Sequence, residues 1–116
     1  MPTLRLEASL AAGTSDANIL AGSKFEILPF PAVVRIFGTQ TGADVGTLTM
    51  DFTMGNQIEI DGAAIPTEAA GIGPYDNQHG LGGGVSARHD RLQLKLMNAD
   101  GSNAALYRVK VDIRPI

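Results

Sequence analysis

The sequence predicts an all-β protein, an antiparallel, jelly-roll-like β-sandwich of seven to eight strands that occupies residues 1–116 as a single domain. Three observations carry this. Apolar and polar residues alternate with period two along most of the chain. Turn signals rich in Gly, Asn, Asp and Pro recur at the spacing expected for short strands. No stretch of useful length has a helical period; the Ala-rich pieces Leu10–Ala12 and Thr67–Gly71 suffice for a single turn.

In Thr3–Leu10, Leu4, Leu6, Ala8 and Leu10 share one face, while Thr3, Arg5, Glu7 and Ser9 share the other. Gly13–Asn18 is turn material. Lys24–Leu28 predicts a short strand that stops at Pro29-Phe30-Pro31, because two prolines remove ladder donors. Ala32–Thr39 is β-branched and apolar enough to be buried on much of both faces. Gly46–Met54 alternates most cleanly, with Leu48, Met50, Phe52 and Met54 on one face. Gly55-Asn56 then turns the chain into Gln57–Ile60, a predicted hairpin closed by Asp61-Gly62. Thr67–Gly84 is the longest predicted loop, with five glycines between positions 73 and 84. The last third predicts a second hairpin. Asp90–Asn98 puts Leu92, Leu94 and Leu96 inward, Ala99–Ser102 turns, and Ala105–Ile113 returns with Tyr107, Val109, Val111 and Ile113 inward. Arg108, Lys110 and Asp112 then face out.

Composition narrows the function classes. A chain of 116 residues with 44% hydrophobic residues builds one modest core. Charged residues, at 18%, fall below the roughly 25% average, which is consistent with some surface not meant for water. The net charge of −3 and the dispersion of the nine basic residues argue against a nucleic-acid footprint. No cysteine is present, so disulfides and Cys-based zinc sites are excluded. No apolar run approaches the roughly 20 residues of a transmembrane helix. The N-terminus lacks a signal-peptide pattern, so synthesis in a cytosol without export is the expectation.

Chemistry-bearing patterns are sparse. Asp76, His79, His89 and Asp90 surround the glycine loop and would be the ligands of a cupin-type metal site, but their spacing matches no ligand motif. Ser86 and Ser102 lack a nucleophile elbow. Gly82-Gly83-Gly84 is not followed by a Lys-Ser/Thr pair or a helix, so backbone freedom explains it better than a phosphate cradle. Asp51 and Glu59 face each other only as solvated carboxylates of one hairpin. No enzyme class is supported, and no catalytic residue, cofactor or metal ligand is assigned. A sugar-binding or adhesin-like module would use Phe30, Tyr75 and the 72–84 loop, a thin aromatic platform in a chain with no Trp.

Asn18-Ile-Leu-Ala-Gly-Ser-Lys-Phe-Glu-Ile-Leu-Pro-Phe-Pro-Ala32 and the closing His89–Asn98 and Val111–Ile116 segments carry a resemblance in composition and strand order. They resemble small single jelly-roll capsid or capsid-vertex proteins of tailless bacterial viruses. The resemblance implies a subunit repeated on a virion shell. Its partners are copies of itself and other virion proteins, and its loops and termini knit neighbours together. A basic terminal arm for genome contact is missing, which argues against direct nucleic-acid contact and leaves room for a vertex, outer-layer or decorating role, or for a shell whose genome lies behind another layer.

A self-assembling virion subunit, made in the host cytoplasm, is therefore the leading expectation. Its contacts are expected in residues 1–12, 61–84 and 114–116, with Leu4, Leu6, Ile65, Ile72, Tyr75, Leu81 and Ile116 as interface residues. The first strand has little edge protection, and the apolar loop residues suit a neighbour better than water. Closed rotational symmetry is expected, because an open heterologous contact runs on into a filament.

Overall fold

The computed structural model describes residues 3–23, 25–69, 73–74 and 78–116. Eight strands form: β1 (Thr3–Leu10), β2 (Ser15–Asp16), β3 (Ala32–Thr41), β4 (Leu48–Met54), β5 (Gln57–Ala64), β6 (Gly80–Ser86), β7 (Leu92–Asn98) and β8 (Ala105–Pro115). They make two four-stranded antiparallel sheets, β1-β8-β3-β6 (sheet I) and β2-β7-β4-β5 (sheet II). First pairs with last, second with seventh, third with sixth and fourth with fifth. The β3–β8 and β4–β7 pairings complete the two sheets. A ribbon of paired strands wrapped in this way is a jelly roll. The Cα radius of gyration, 13.4 Å, is that of one compact body of this length.

Alternation decides the core. β4 buries Leu48, Met50, Phe52 and Met54, and β7 buries Leu92, Leu94 and Leu96. Across the gap stand Val34 and Ile36 of β3 and Val109, Val111 and Ile113 of β8. Each fully buried side chain of this size contributes about 1.5–3 kcal/mol, so these strands hold the sandwich together. The β4–β5 hairpin forms, turning at Gly55 with φ 59°, but β5 runs through the expected Asp61-Gly62 turn to Ala64.

Four further expectations need correction. β7 and β8 are not a hairpin: β7 lies in sheet II and β8 in sheet I. Their connection crosses the roughly 10 Å between sheets, and alternation fixes a strand's face but not its neighbour. The predicted 67–84 loop ends early, because β6 begins at Gly80. Its glycines let the strand lie close to its neighbours: a Cβ on Gly84 would stand 2.6 Å from Glu59 Oε2, and one on Gly82 would stand 3.0 Å from Ile60 Cγ1. Lys24–Leu28 is not a strand. Of its described residues, Ile27 makes only an isolated bridge to Arg91, and Lys24 lies outside the described residues. Conversely, the 13–18 turn contains β2.

Irregular chain nevertheless seals that side of sheet II. Thr14 O accepts the Asn98 N–H, and Leu94 O accepts the Ile19 N–H. The Asn18 side chain substitutes for strand backbone, with Oδ1 accepting the Leu94 N–H (3.1 Å) and Nδ2 donating to Leu92 O (3.2 Å). Glu26 O accepts the Leu92 N–H, and Asp90 O accepts the Leu28 N–H. The Glu26 carboxylate is held below its ordinary range by the Gly22 N–H and by Arg91, whose Nη2 lies 2.8 Å away.

The crossing between β7 and β8 is organised by Asp100. Its carboxylate accepts the N–H groups of Asp44 (2.9 Å), Ser102 (2.9 Å) and Asn103 (3.1 Å) and the Asn103 Nδ2–H (3.1 Å). These donors, that of Asp44 foremost, pull its pKa from 3.8 down to about 2. A depressed carboxylate pKa adds stability that is complete above the ordinary value and is lost as pH falls through the depressed one. Urea midpoints of the wild type are therefore expected to fall between pH 4 and pH 2. Asp100→Asn should start lower at neutral pH and decline less across that window; parallel curves would exclude this role.

Candidate assembly surface

The outer face of sheet I carries Arg5, Arg35, Arg108, Lys110 and Arg114, with Glu7 and Asp112. Alternation placed Arg108 and Lys110 on this face correctly, but they are not solvated: they are 7% and 8% exposed. Arg108 Nε donates to Thr39 Oγ1 and its Nη2 to Thr41 Oγ1, both at 3.2 Å, and Nη2 also reaches Ala69 O at 3.4 Å. Phe37 is buried on this outer face. Lys110 Nζ stands 4.6 Å and Arg35 Cζ 5.3 Å from its ring centroid, so two cations roof one aromatic.

Residues 65–69, with Gly73 and His79, contribute to the burial. Pro66 O accepts the Gln40 N–H, and Gln40 O accepts the Glu68 N–H, so this segment lines β3 beyond the end of β6. Gln40 Nε2 donates to Thr67 Oγ1 at 2.7 Å and to Ala43 O at 3.0 Å. His79, also buried, lies 3.2 Å from Glu68 Oε1, and Gly73 packs where a Cβ would meet both His79 and Thr39 within 3 Å.

The expected interface residues separate into three places. Leu4 and Leu6 line the inner face of β1, half-buried against the core. Ile65 is 1% exposed and belongs to the interior, so it is not on the subunit surface. Leu81 packs beside it: both side chains approach the position of a Gly38 Cβ, at 3.2 and 3.6 Å. Ile116, 76% exposed, is tied by its N–H to Pro31 O. Ile72 and Tyr75 lie outside the described residues.

Exposed apolar side chains not singled out in the sequence are Ile27, Val45, Ile58, Val85 and Met97. Val85, 62% exposed, sits directly across from Val33, which in turn faces Arg114, two residues before Ile116. The glycines on its N-terminal side hid the alternation that would have marked Val85.

The alternative sites do not assemble. His79 and His89 stand beyond opposite ends of β6, and Asp76 lies outside the described residues. Among the described residues no group of three His, Asp or Glu side chains could hold a metal. Asp51 Oδ1 accepts the Gly62 N–H at 2.6 Å while Glu59 turns toward Gly84, so these carboxylates do not form a pair. Phe25 and Phe30 are half-buried on the core, so a sugar platform would rest on Tyr75. Comparison with known protein families, with curated proteins and with solved structures finds no match to this chain.

What distinguishes the molecule is the state of its sheet edges. β2 is two residues long and continues into the chain sealed along β7. β5 is interrupted by two register shifts, and β6 carries one shift and four glycines. β1 has none of these devices: it is eight residues long, in unbroken register with β8, without proline or bulge. A depression of about 290 Å³ lies over β3 and β6, another of about 250 Å³, lined by Asp51, Thr53, Asp61 and Lys95 among others, lies on the outside of sheet II, and a third of about 220 Å³ lies beside β1, where Gly73 and Pro74 approach Arg5, Leu6 and Glu7. Among the described residues no helix is long and apolar enough to cross a membrane.

Proposed function

We propose that this chain is a structural subunit that assembles with copies of itself, acting in a virion as a shell, vertex or decorating protein. Among the described residues the outer edge of β1 is unpaired, and this carries the reading, because a regular strand with one unpaired side is a template for another strand and monomers blunt such edges. Exposed Val85 and Ile116, on either side of half-buried Val33, add apolar surface suited to a neighbour. The sandwich interior is filled with aliphatic and aromatic side chains. The virion role comes with the resemblance of the 18–32 and 89–116 segments, and jelly rolls also serve lectins and cupins, so the fold alone does not choose. Direct genome contact is not part of the proposal, since Arg35, Lys110 and Arg108 are engaged with Phe37, Thr39 and Thr41.

Light scattering after size exclusion at two concentrations tests it, followed by electron microscopy of the largest species. A discrete oligomer or closed particle is expected. A 12.1 kDa monomer at both concentrations would overturn the reading.

A further inference from the structure

The open edge of β1 is also self-complementary. Two copies of a strand can continue one antiparallel sheet about a two-fold axis normal to it, and some residue must then pair with its own copy. An axis at Arg5 sets arginine against arginine, and one at Glu7 sets glutamate against glutamate. An axis at Leu6 sets Leu6 against Leu6, Leu4 against Ala8, Arg5 against Glu7 and Thr3 against Ser9. Every pair then joins residues of the same face, outer with outer and inner with inner.

Within the subunit Glu7 sits directly across from Arg108, whereas Arg5 has no acid across from it. Arg5 sits directly across from Lys110 in the β1–β8 ladder, a like-charge opposition that destabilises a sheet. Among the described residues neither Arg5 nor Glu7 has an ion-pair partner. We propose that two copies of this chain pair through β1 about a two-fold axis at Leu6, each Arg5 meeting Glu7 of the other copy. The result is one eight-stranded sheet, β6-β3-β8-β1 continued by β1-β8-β3-β6 of the second copy. This rests on the self-assembly reading and names its partner and symmetry. Seven paired residues bury less than the roughly 800 Å² per partner of a standard interface, so the dimer is concentration-dependent unless further contacts reinforce it.

Charge reversal tests the pairing. Arg5→Glu and Glu7→Arg each turn both opposite-charge contacts into like-charge ones and are expected to weaken self-association about tenfold in sedimentation equilibrium. An equimolar mixture of the two variants should recover it, because one chain then brings two acids and the other two bases. Arg5→Glu faces Lys110, so its thermal midpoint should not fall, which separates loss of pairing from loss of fold; Glu7→Arg sets arginine against Arg108 within the subunit, so its midpoint should fall slightly and recovery in the mixture carries its reading. The chain has no cysteine, so Thr3→Cys and Ser9→Cys chains should form a disulfide with each other under oxidation and not with themselves. Wild-type association that is indifferent to both reversals, or an odd-numbered ring, would sink the two-fold pairing and leave the subunit reading standing. A monomer at every concentration would end both.

Discussion

Gly83→Ala is expected to lower the stability of the subunit by about 3 kcal/mol, or roughly 10–15 °C in Tm for a domain of this size. A Cβ at this position would overlap the Val34 carbonyl oxygen and approach Arg35 Cα to 2.9 Å, in a backbone conformation with φ 154°. These obstacles are main-chain atoms of β3, so no rotamer change relieves them, and β6 must move away from its partner. Movement there exposes Ile36 and Ile60, which the glycine strand covers at the sandwich edge. Gly101→Ala is the control. Nothing lies within 4 Å of its Cβ position, and its effect is expected within about 0.5 kcal/mol. Equal thermal shifts for the two variants would show that β6 tolerates side chains and that its glycines serve something other than close approach.

β6 also shows where sequence reading stops. Strand calling relies on alternation of side chains, and a strand made mostly of glycine has few to alternate. What marks it as a strand is the proximity of Val34, Glu59 and Ile60, each distant in sequence. β4, β7 and β8 were legible for the opposite reason, because their inward residues form unbroken sets from Leu48 to Met54, Leu92 to Leu96 and Tyr107 to Ile113. Those sets give each strand's buried face and nothing about its partner. The six-residue connection between β7 and β8 would serve a hairpin or a crossing equally well; Asp100, gathering donors from Asp44 and Asn103, favours the crossing.

The features of the candidate assembly surface were half legible. The exposed length of β1 and the polarity of its outer face followed from its sequence, and so did the placement of Leu4 and Leu6. The special standing of β1 did not, since it depends on what blunts the other three edges: a bulge in β6, two in β5, and irregular chain along β7. Ile65 was misassigned because apolar loop content does not distinguish a residue awaiting a neighbour from one already folded into the core. Arg108 and Lys110 illustrate the same limit for polar residues: alternation set their face, and contacts with the 65–69 segment and Phe37 contribute to their burial.

Asn98→Ala is expected to cost about 3–4 kcal/mol, because a single side chain there serves three pieces of chain. Asn98 is 1% exposed. Its Nδ2 donates to Leu10 O (3.2 Å), Ala11 O (3.4 Å) and Asn103 O (3.0 Å), and its Oδ1 accepts the Asp100 N–H (3.0 Å). The end of β1, the end of β7 and the loop leading into β8 are thereby fastened at one point. Truncation leaves buried carbonyls and an amide without these partners, each orphan costing about 1–3 kcal/mol, with partial relief where water enters. Asn98→Asp keeps the shape but exchanges the donor for a second acceptor aimed at carbonyl oxygens, so it should be at least as damaging at neutral pH. Protonation would restore one donor; the folded pKa of the introduced carboxyl is therefore raised, and its penalty appears as pH rises through the unfolded value. Chemical denaturation of this variant should show a deficit relative to wild type that shrinks on acidification, opposite in sign to the acid loss attributed to Asp100. A deficit independent of pH would mean that the amide donors contribute little and that the site is held by packing alone.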